Sequence, residues 1–571
     1  MRSNKDQTML SGIIQRFRRY RKGIAAAAII VTAGLFIQGK EGNSYFEVSK
    51  NLDIYATLFK ELNTYYVDPI EPGKLTKAGI DAMLDDLDPY TNYITESDIE
   101  DYEFQTTGRY GGIGATMRRR DDLIYVGDVY ESSPAQKAGL HPGDLIISID
   151  NQATKGKSVE DISVLLKGSP GTQVSIRVKD ALNNQEETKL VTRGEIELSS
   201  LPFAGLIGPD KDIAFVRLTQ FTPSCGRLVR NALDSLKGVR PSLKGVVLDL
   251  RNNPGGLLDE AVNVCNIFTD RNQLVVSTKG KMKEWDKDFK TAGPAWDLKI
   301  PLTVLVNHSS ASASEIVAGT MQDLDRGVII GERSYGKGLV QTTRPLGYNA
   351  RLKLTTARYY TPSGRCIQAL DYAHRDPDGS VGRVPDSLKK MYRTKGGRSV
   401  LSGGGVDPDI EVKNPPVSKL AIALYTRNFF FDYATHYVRT HPKIGDAMNF
   451  SLSTAEWADF TKWLEGKDYS YKTTTEEALD SLQQIAIREK YYDAAKGEFT
   501  ALRTKVGHDK KLDLQKRQAE VKSMLESEII SRYYYQRGRI AHSLRDDDEL
   551  AKAISILSAP TQYSALLQTK K

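Results

Sequence analysis

Apolar and polar positions follow different periods in successive stretches of the chain, and each period predicts a different architecture. Residues 47–104 place apolar side chains at helical spacing, so we expect a small N-terminal helical region there. Residues 105–196 change to short β-like runs separated by Gly, Pro and Asp, with one helical stretch at 159–166, which is typical of a compact β-rich module. The predicted strands of this module are 123–126, 145–149, 173–178 and 188–192.

Between residues 197 and 412, short apolar runs alternate with helical stretches. The predicted strands are 213–218, 245–250, 302–306 and 328–331, and the predicted helices are 226–237, 256–268 and 312–324. This alternation predicts an α/β core with a largely parallel sheet. Two charged segments that contain Gly and Pro, 279–299 and 371–402, are expected to form surface loops or short hairpins.

The last part of the chain is helical in period and rich in charge, with few Gly or Pro, so we predict a helical domain over 416–571. The expected fold class is therefore multidomain α/β and β. An α/β core over 197–412 carries the inserted β-rich domain over 105–196, and helical regions flank the two.

A basic cluster precedes an uncharged apolar run at the amino end. The cluster consists of Arg16, Arg18, Arg19, Arg21 and Lys22, and the uncharged run covers 23–39. This order is typical of a signal peptide or a signal anchor. Both remain open, because the run is just short of the ~18 to 20 residues that a spanning helix prefers, and no clear cleavage site follows. Both keep the basic segment 1–22 in the cytoplasm and export everything after Lys40, which predicts a periplasmic or inner-membrane-anchored protein of the cell envelope. A short buried helix is the alternative.

Composition narrows the function further. The chain has 571 residues, of which 40% are hydrophobic and 26% charged, so it is expected to be modular and mainly soluble. Its net charge of +7 is small and scattered, which argues against nucleic acid as a partner. Three widely spaced cysteines predict neither a disulfide framework nor a cysteine-based zinc site, and the seven histidines form no HExxH pattern, so the sequence offers no ligand set for a metalloprotease.

The densest chemistry lies where the strand 302–306 runs into small residues and then a helix. Ser312 stands at this junction, where unpaired N–H groups and the helix dipole favour the negative charge of a nucleophile and an oxyanion. A plain helix N-cap is the alternative for the serine. The strand 245–250 ends in a Pro-Gly-Gly turn, whose amides at Gly255 and Gly256 could complete an oxyanion hole or simply form a tight turn.

A third segment, GERSYGKG at 331–338, matches the start of a phosphate-binding loop. Gly338 stands where Ser or Thr would bind magnesium, and the residues after it have the pattern of a strand rather than a helix, so nucleotide binding is disfavoured. Lys337 can instead serve as a general base if burial lowers its pKa, with Gln341 positioned to orient the amine. His308 is the alternative base for Ser312, but it lies across a strand-to-helix turn and no G-x-S-x-G elbow occurs.

Five runs in this order resemble the C-terminal processing peptidases, also called tail-specific proteases, over roughly residues 50–412. They are DLRNNPGG at 249–256, SASASEI at 310–316, YGKGLVQ at 335–341, YTPSGR at 360–365 and GVDPDI at 405–410. The resemblance implies a serine endopeptidase with Ser312 as nucleophile, Lys337 as general base and Gln341 as the residue that positions the lysine. It further implies that the reaction needs no metal or organic cofactor and that the oxyanion donors are backbone N–H groups. These are the N–H groups of Ala313 and of Gly255 or Gly256.

The β-rich module resembles a PDZ domain. The run YGGIG at 110–114 is similar to the carboxylate-binding loop, and SPAQKAGLHPGDLI at 133–146 is similar to the central turn and helix. The resemblance implies that Gly112, Ile113 and Gly114 hold the C-terminal carboxylate of a peptide that adds as a strand. A Gly-rich hairpin is the alternative.

The expected partners are therefore proteins or peptides with free C-termini, together with the membrane through 23–39. The rival from another class is a non-catalytic PDZ scaffold of the envelope, against which the presence of Ser312, Lys337 and Gln341 argues. The sequence leaves open the substrates, a homo-oligomer, and whether the PDZ domain activates or inhibits.

Overall fold

The computed structural model describes residues 45–376, 378–413, 415–507 and 510–568. The predicted basic segment 1–22 and apolar segment 23–39 lie outside these residues. Among the helices in the described part of the chain, none has the length and apolar character needed to cross a bilayer. The chain divides into two compact units, which meet in sequence between Asp86 and Leu87.

The described part of the first unit, residues 45–86, forms two helices, α1 (residues 45–65) and α2 (Pro72–Asp85). Proline occupies the start of α2, where its fixed φ suits a helix and its missing N–H costs nothing. The helical prediction for this stretch is confirmed.

The second unit starts with a short strand and a helix and continues into the β-rich module. Its first elements are β1 (Asn92–Ile94) and α3 (Ile99–Thr107). The module then contains β2 (Arg109–Gly112), β3 (Ala115–Arg120), β4 (Leu123–Val129), α4 (Pro134–Lys137), β5 (Leu145–Ile149), β6 (Gln152–Ala153), α5 (Val159–Leu166), β7 (Gln173–Lys179), β8 (Glu186–Thr192) and β9 (Gly194–Glu197). The sheet order is β3-β4-β5-β7-β8 with β6 beside β5, and β2 pairs with β9. The four predicted strands and the helix 159–166 are all present.

The α/β core follows. Its elements are β10 (Phe203–Ile207), β11 (Ile213–Arg217), α6 (Cys225–Val239), β12 (Gly245–Asp249), α7 (Leu258–Phe268), β13 (Leu274–Gly280), β14 (Lys287–Lys290), β15 (Leu302–Val306), α8 (Ala313–Asp323), β16 (Val328–Gly331), β17 (Leu339–Pro345), β18 (Arg351–Tyr360), β19 (Leu370–Arg375), β20 (Val381–Arg383), β21 (Met391–Arg393), β22 (Ser399–Leu401) and β23 (Ile410–Glu411). The main sheet has the order β10-β11-β12-β15-β16-β23 and is parallel except for the β10–β11 pair. This confirms the largely parallel sheet.

One feature of the core differs from the expectation. A second, antiparallel sheet has the order β1-β18-β13-β14, with β17 paired to β18, and its first strand lies in the region predicted to be only helical. The pairing of β1 with β18 joins residues some 260 positions apart, and short-range periodicity carries no information about such a pair. The segments 279–299 and 371–402 do contain hairpin strands, as expected.

The C-terminal residues form helices. They are α9 (Lys419–Thr426), α10 (Phe429–Thr440), α11 (Thr454–Trp463), α12 (Thr474–Arg488), α13 (Lys496–Val506), α14 (Lys510–Lys516), α15 (Gln518–Ser543), α16 (Asp548–Leu557) and α17 (Pro560–Leu566). An apolar cluster around Tyr433 and Phe460 forms the core between α9, α10, α11, α14 and the first part of α15. The end of α15 and helices α16 and α17 instead cover one face of the main sheet, while α6, α7 and α8 cover the other. Helices α16 and α17 are therefore part of the α/β core.

Candidate active site

Ser312 lies at the junction between β15 and α8. All five residues of β15 are buried, so the strand fixes the position of the loop that follows it. Ser312 has φ 55° and ψ −112°, a strained conformation for a residue with a side chain, and such strain is concentrated at functional sites. The Tyr359 hydroxyl donates a 3.2 Å hydrogen bond to the Ser312 carbonyl oxygen and holds this turn in place.

The predicted site residues come together around one cavity of about 480 Å³. Those that line it are Ser312, Lys337, Gln341, Gly255 and Gly256. They come from three separate loops and from strand β17, so the fold assembles positions that are up to 86 residues apart in the chain.

The backbone N–H groups near Ser312 differ in whether they already donate a hydrogen bond within the protein. The Gly255 N–H donates to the Asn253 side-chain oxygen at 2.9 Å, so this donor is already engaged. Within the described residues, the N–H groups of Gly256 and Ala313 donate no hydrogen bond to protein. Of the two glycine amides implied by the resemblance, the geometry favours Gly256. Position 255 requires a glycine for a different reason: its φ is +103°, and a Cβ there would lie 2.8 Å from the Ser312 Cβ.

A buried ion cluster anchors the loop that carries these glycines. Arg251 contacts Asp249 at 2.8 Å, Asp547 at 2.7 Å and Glu549 at 2.5 Å. Because Asp547 and Glu549 lie at the start of α16, the C-terminal helices hold the glycine loop against the core. Breaking one partner of such a buried cluster leaves an uncompensated charge, which is strongly destabilising.

Lys337 is partly buried and lines the same cavity as Ser312. Burial, and to a lesser degree the positive charge of Lys353, lowers the pKa of Lys337 to about 8, against the opposing effect of Asp88 and Glu315. Its Nζ lies 4.2 Å from the centroid of the Tyr90 ring. A lysine with this pKa is partly neutral near physiological pH and can accept a proton.

Glu315 links the serine and lysine loops, and the sequence reasoning assigned it no role. Its buried carboxylate accepts hydrogen bonds from the N–H groups of Ser312 at 2.9 Å, Gly336 at 2.7 Å and Lys337 at 2.9 Å, and from the Ser334 hydroxyl at 2.5 Å. Burial raises its pKa to about 7, against these donors. The signal that could have found it is a glutamate three residues after a serine at a helix start, which is the spacing of a capping box.

Gln341 stands opposite Thr355 in the β17–β18 pair, next to a bulge. Its Nε2 donates a 3.1 Å hydrogen bond to the Thr355 hydroxyl, and its side chain lines the same cavity as Lys337.

The two competing interpretations, His308 as the base and a phosphate-binding loop at 331–338, receive no support from the structure. His308 is exposed and pairs with Glu332 rather than facing this cavity, and the residues after Gly338 form a strand, not the helix of a phosphate-binding loop.

The β-rich module contains a separate groove of about 380 Å³ between β3 and α5. Ile113 lines it, and the Ile113 carbonyl is held by the Ala135 N–H at 2.8 Å. The Ile113 N–H donates no hydrogen bond within the described residues, so it is available to a ligand. Gly112 and Gly114 flank this position, and Gly114 has φ +75°.

Helix α3 forms part of the wall of both cavities. Asp101 and Phe104 line the groove of the β-rich module, whereas Tyr102, Gln105 and Thr106 line the cavity that contains Ser312. The Tyr102 hydroxyl also lies 2.5 Å from the Thr343 hydroxyl of β17. The groove and the cavity are therefore neighbours separated by one helix.

Comparison with known proteins gives three family matches. The model of peptidase family S41 matches residues 212–381, a PDZ domain model matches residues 125–180, and a model described as the C-terminal helical domain of a probable PDZ-protease matches residues 420–557.

Two bacterial proteases are among the curated relatives that match this chain at length. The chain is 36% identical over 382 residues to a carboxy-terminal-processing protease of Bartonella bacilliformis, covering 66% of this chain and 85% of that protein. It is 30% identical over 435 residues to a probable CtpA-like serine protease of Staphylococcus haemolyticus, covering 74% of this chain and 79% of that protein. Both matches span most of the relative's own length.

Proposed function

This chain belongs to peptidase family S41 and is a carboxy-terminal-processing serine protease with a PDZ domain, and on that basis we propose that it is a Ser312–Lys337 endopeptidase that captures its substrates by their free C-termini. The observation that carries this proposal is the shared cavity, which is lined by Ser312, by the partly buried Lys337 and by Gly256, whose N–H donates no hydrogen bond within the described residues.

The proposed reaction is acyl transfer. Neutral Lys337 takes the proton of the Ser312 hydroxyl, and the serine oxygen attacks a peptide carbonyl. The N–H groups of Gly256 and Ala313 stabilise the oxyanion, and the Lys337 ammonium then protonates the leaving amine. A water molecule, deprotonated by the same lysine, hydrolyses the acyl-enzyme and restores Ser312.

Substrate capture is assigned to the groove beside Ile113. A peptide that adds as a strand along β3 would direct its terminal carboxylate to the loop formed by Gly112, Ile113 and Gly114, where the free Ile113 N–H supports binding of an anion. Charge-assisted hydrogen bonds of this kind contribute roughly 1.5 to 3 kcal/mol each.

Two peptides that differ only in a free or an amidated C-terminus test this assignment. The enzyme should cleave the free acid at least about tenfold more efficiently, because the neutral amide loses the charge-assisted bonds. Gly114→Val should abolish this preference while keeping cleavage of short peptides that reach Ser312 directly, since a Cβ at Gly114 would lie 2.5 Å from the Ser133 Cβ. Gly466→Val is the matched control, because Gly466 also has a positive φ of +77° but open space around it. Equal cleavage of both peptides by the unmodified enzyme would remove carboxylate recognition from the proposal.

We further propose that the chain is exported and that residues 23–39 anchor it to the inner membrane, a reading supported by the basic residues before an uncharged run. Cell fractionation of the full chain should place it in the membrane fraction with its protease domain accessible from the periplasm. A shortened chain that starts at Glu41 should stay in the cytoplasm. Recovery of the full chain from the cytoplasm would contradict export.

A further inference from the structure

The segment from Asp88 to Thr91 lies against the lysine side of the active site. It enters the core just before β1 and is held by its own hydrogen bonds, in which Asp88 accepts from the Tyr90 and Thr91 N–H groups at 2.8 and 2.9 Å. Asp88 and Thr91 are buried. The segment is therefore a fixed structural element, and two of its side chains reach the residues that the proposed mechanism uses.

Tyr90 is the first of these contacts. The Nζ of Lys337 lies 4.2 Å from the centroid of the Tyr90 ring, the geometry of a cation–π contact. The ring itself is held by the Tyr372 ring, which packs edge-on at 6.0 Å. Such a ring face attracts an ammonium group but not a neutral amine, so Tyr90 favours the protonated state of Lys337.

Asp88 is linked to Gln341 indirectly, through Thr355. The Thr355 hydroxyl donates to an Asp88 carboxylate oxygen at 3.2 Å and accepts from Gln341 Nε2 at 3.1 Å. The Thr355 N–H is also bonded to the Thr91 hydroxyl at 3.2 Å. Because the Thr355 hydroxyl donates its hydrogen bond to Asp88, the hydroxyl oxygen stays available as an acceptor for the Gln341 amide. The position of this oxygen then sets the direction of the Gln341 side chain.

We propose that the Asp88–Thr91 segment is the positioning element of the catalytic base: the Tyr90 ring holds the Lys337 ammonium, and Asp88 orients Gln341 through Thr355. This inference rests on the proposed role of Lys337 as the base. The base becomes an ammonium each time it takes the Ser312 proton, and Tyr90 stabilises that state at a fixed position. Without the Tyr90 ring, only the flexible methylene chain of Lys337 would fix the position of its Nζ, and therefore the position from which the proton is delivered.

Several charged or titratable groups face Lys337 from the surrounding elements. They are Asp88 and Tyr90 from the segment itself, Glu315 from α8, and Lys353 and Tyr359 from β18. A substitution of Tyr90 leaves the other four in place. A change in the pH dependence of that variant therefore reports the loss of the ring.

The first test compares the pH profiles of kcat for Tyr90→Leu and Tyr90→Phe. Leucine stays apolar but removes the ring, so the ammonium loses its partner and the acidic limb should move to lower pH by about half to one and a half units. Phenylalanine keeps the ring face and should retain the midpoint of the unmodified enzyme. An unshifted Tyr90→Leu profile, or an equal shift in Tyr90→Phe, would overturn the role of the ring.

The second test uses Thr355→Val, which removes only the hydroxyl that joins Asp88 to Gln341. This variant should lower kcat about five- to tenfold with little change in KM, and it should cause no further loss in a Gln341→Ala background. A fully additive loss in the double variant would show that Thr355 does not act through Gln341 and would contradict the proposal.

Failure of this inference can be told apart from failure of the proposed function. If Ser312→Ala and Lys337→Ala are inactive while Tyr90→Leu and Thr355→Val behave as the unmodified enzyme does, the dyad stands and the positioning element is wrong. If Lys337→Ala keeps its activity, the dyad itself is wrong and the inference falls with it.

Discussion

Arginine at position 337 should abolish the peptidase activity although it keeps the positive charge. The guanidinium group cannot be deprotonated in a protein, so Lys337→Arg retains no base for the Ser312 proton. General-base catalysis contributes about 10²- to 10⁴-fold, and we expect a fall in kcat of this order in both Lys337→Arg and Lys337→Ala. Initial rates of peptide cleavage measure it, with thermal unfolding to show that both variants fold.

The pH dependence of the unmodified enzyme gives an independent check on the same residue. Burial lowers the pKa of Lys337 to about 8, and only the neutral amine can act as base. Activity should therefore rise as the pH increases through about 8 and level off above it. An active Lys337→Arg variant, or a rate that does not change between pH 6 and 9, would remove Lys337 from the base role.

Replacement of Glu315 by alanine should cause the second large effect, on both stability and turnover. Its carboxylate accepts from three backbone N–H groups and the Ser334 hydroxyl, and these buried donors would lose their partner. Each unsatisfied buried group costs about 1 to 3 kcal/mol, so the variant should unfold at a markedly lower temperature. At temperatures where it is still folded, its kcat should fall by at least about a hundredfold, because misplacement of the reacting groups by 1 Å has an effect of that size.

Glu526→Ala is the matched control for Glu315→Ala. Glu526 is also buried and also accepts from a backbone N–H, that of Leu452, and from a hydroxyl, that of Ser451, but it lies in the helical domain. It should lose stability without a comparable loss of kcat in the folded state. If Glu315→Ala turned over substrate as fast as Glu526→Ala does, Glu315 would be a residue of the core with no part in aligning the dyad.

Much of this molecule could be predicted from local patterns. The strand β15 and the helix α5 have the bounds that their apolar periods predict, because a buried parallel strand and an amphipathic helix leave strong local signals. The small residues around Ser312 and the glycines around Lys337 also marked their segments, since close backbone approach requires them. The resemblance to tail-specific proteases then supplied roles for these residues.

The parts that could not be predicted depend on partners far apart in the chain. Strand β1 is three residues long and exists because β18 is beside it. Tyr90 precedes Lys337 by 247 positions, and no periodicity connects an aromatic residue in one loop to a lysine in another. The packing of α16 and α17 against the main sheet could not be predicted for the same reason. A helical period shows which face of a helix is apolar but not which surface that face contacts.

The most direct test of the catalytic proposal is the cleavage rate of Ser312→Ala on a protein substrate with a free C-terminus, with products identified by mass spectrometry. Alanine removes one oxygen atom and should leave the unfolding temperature nearly unchanged. No cleavage above the uncatalysed background is predicted for this variant, while the unmodified enzyme should cleave equally well with and without a metal chelator. Cleavage by Ser312→Ala at a substantial fraction of the unmodified rate, or loss of cleavage by the unmodified enzyme on chelation, would contradict a serine nucleophile at this position.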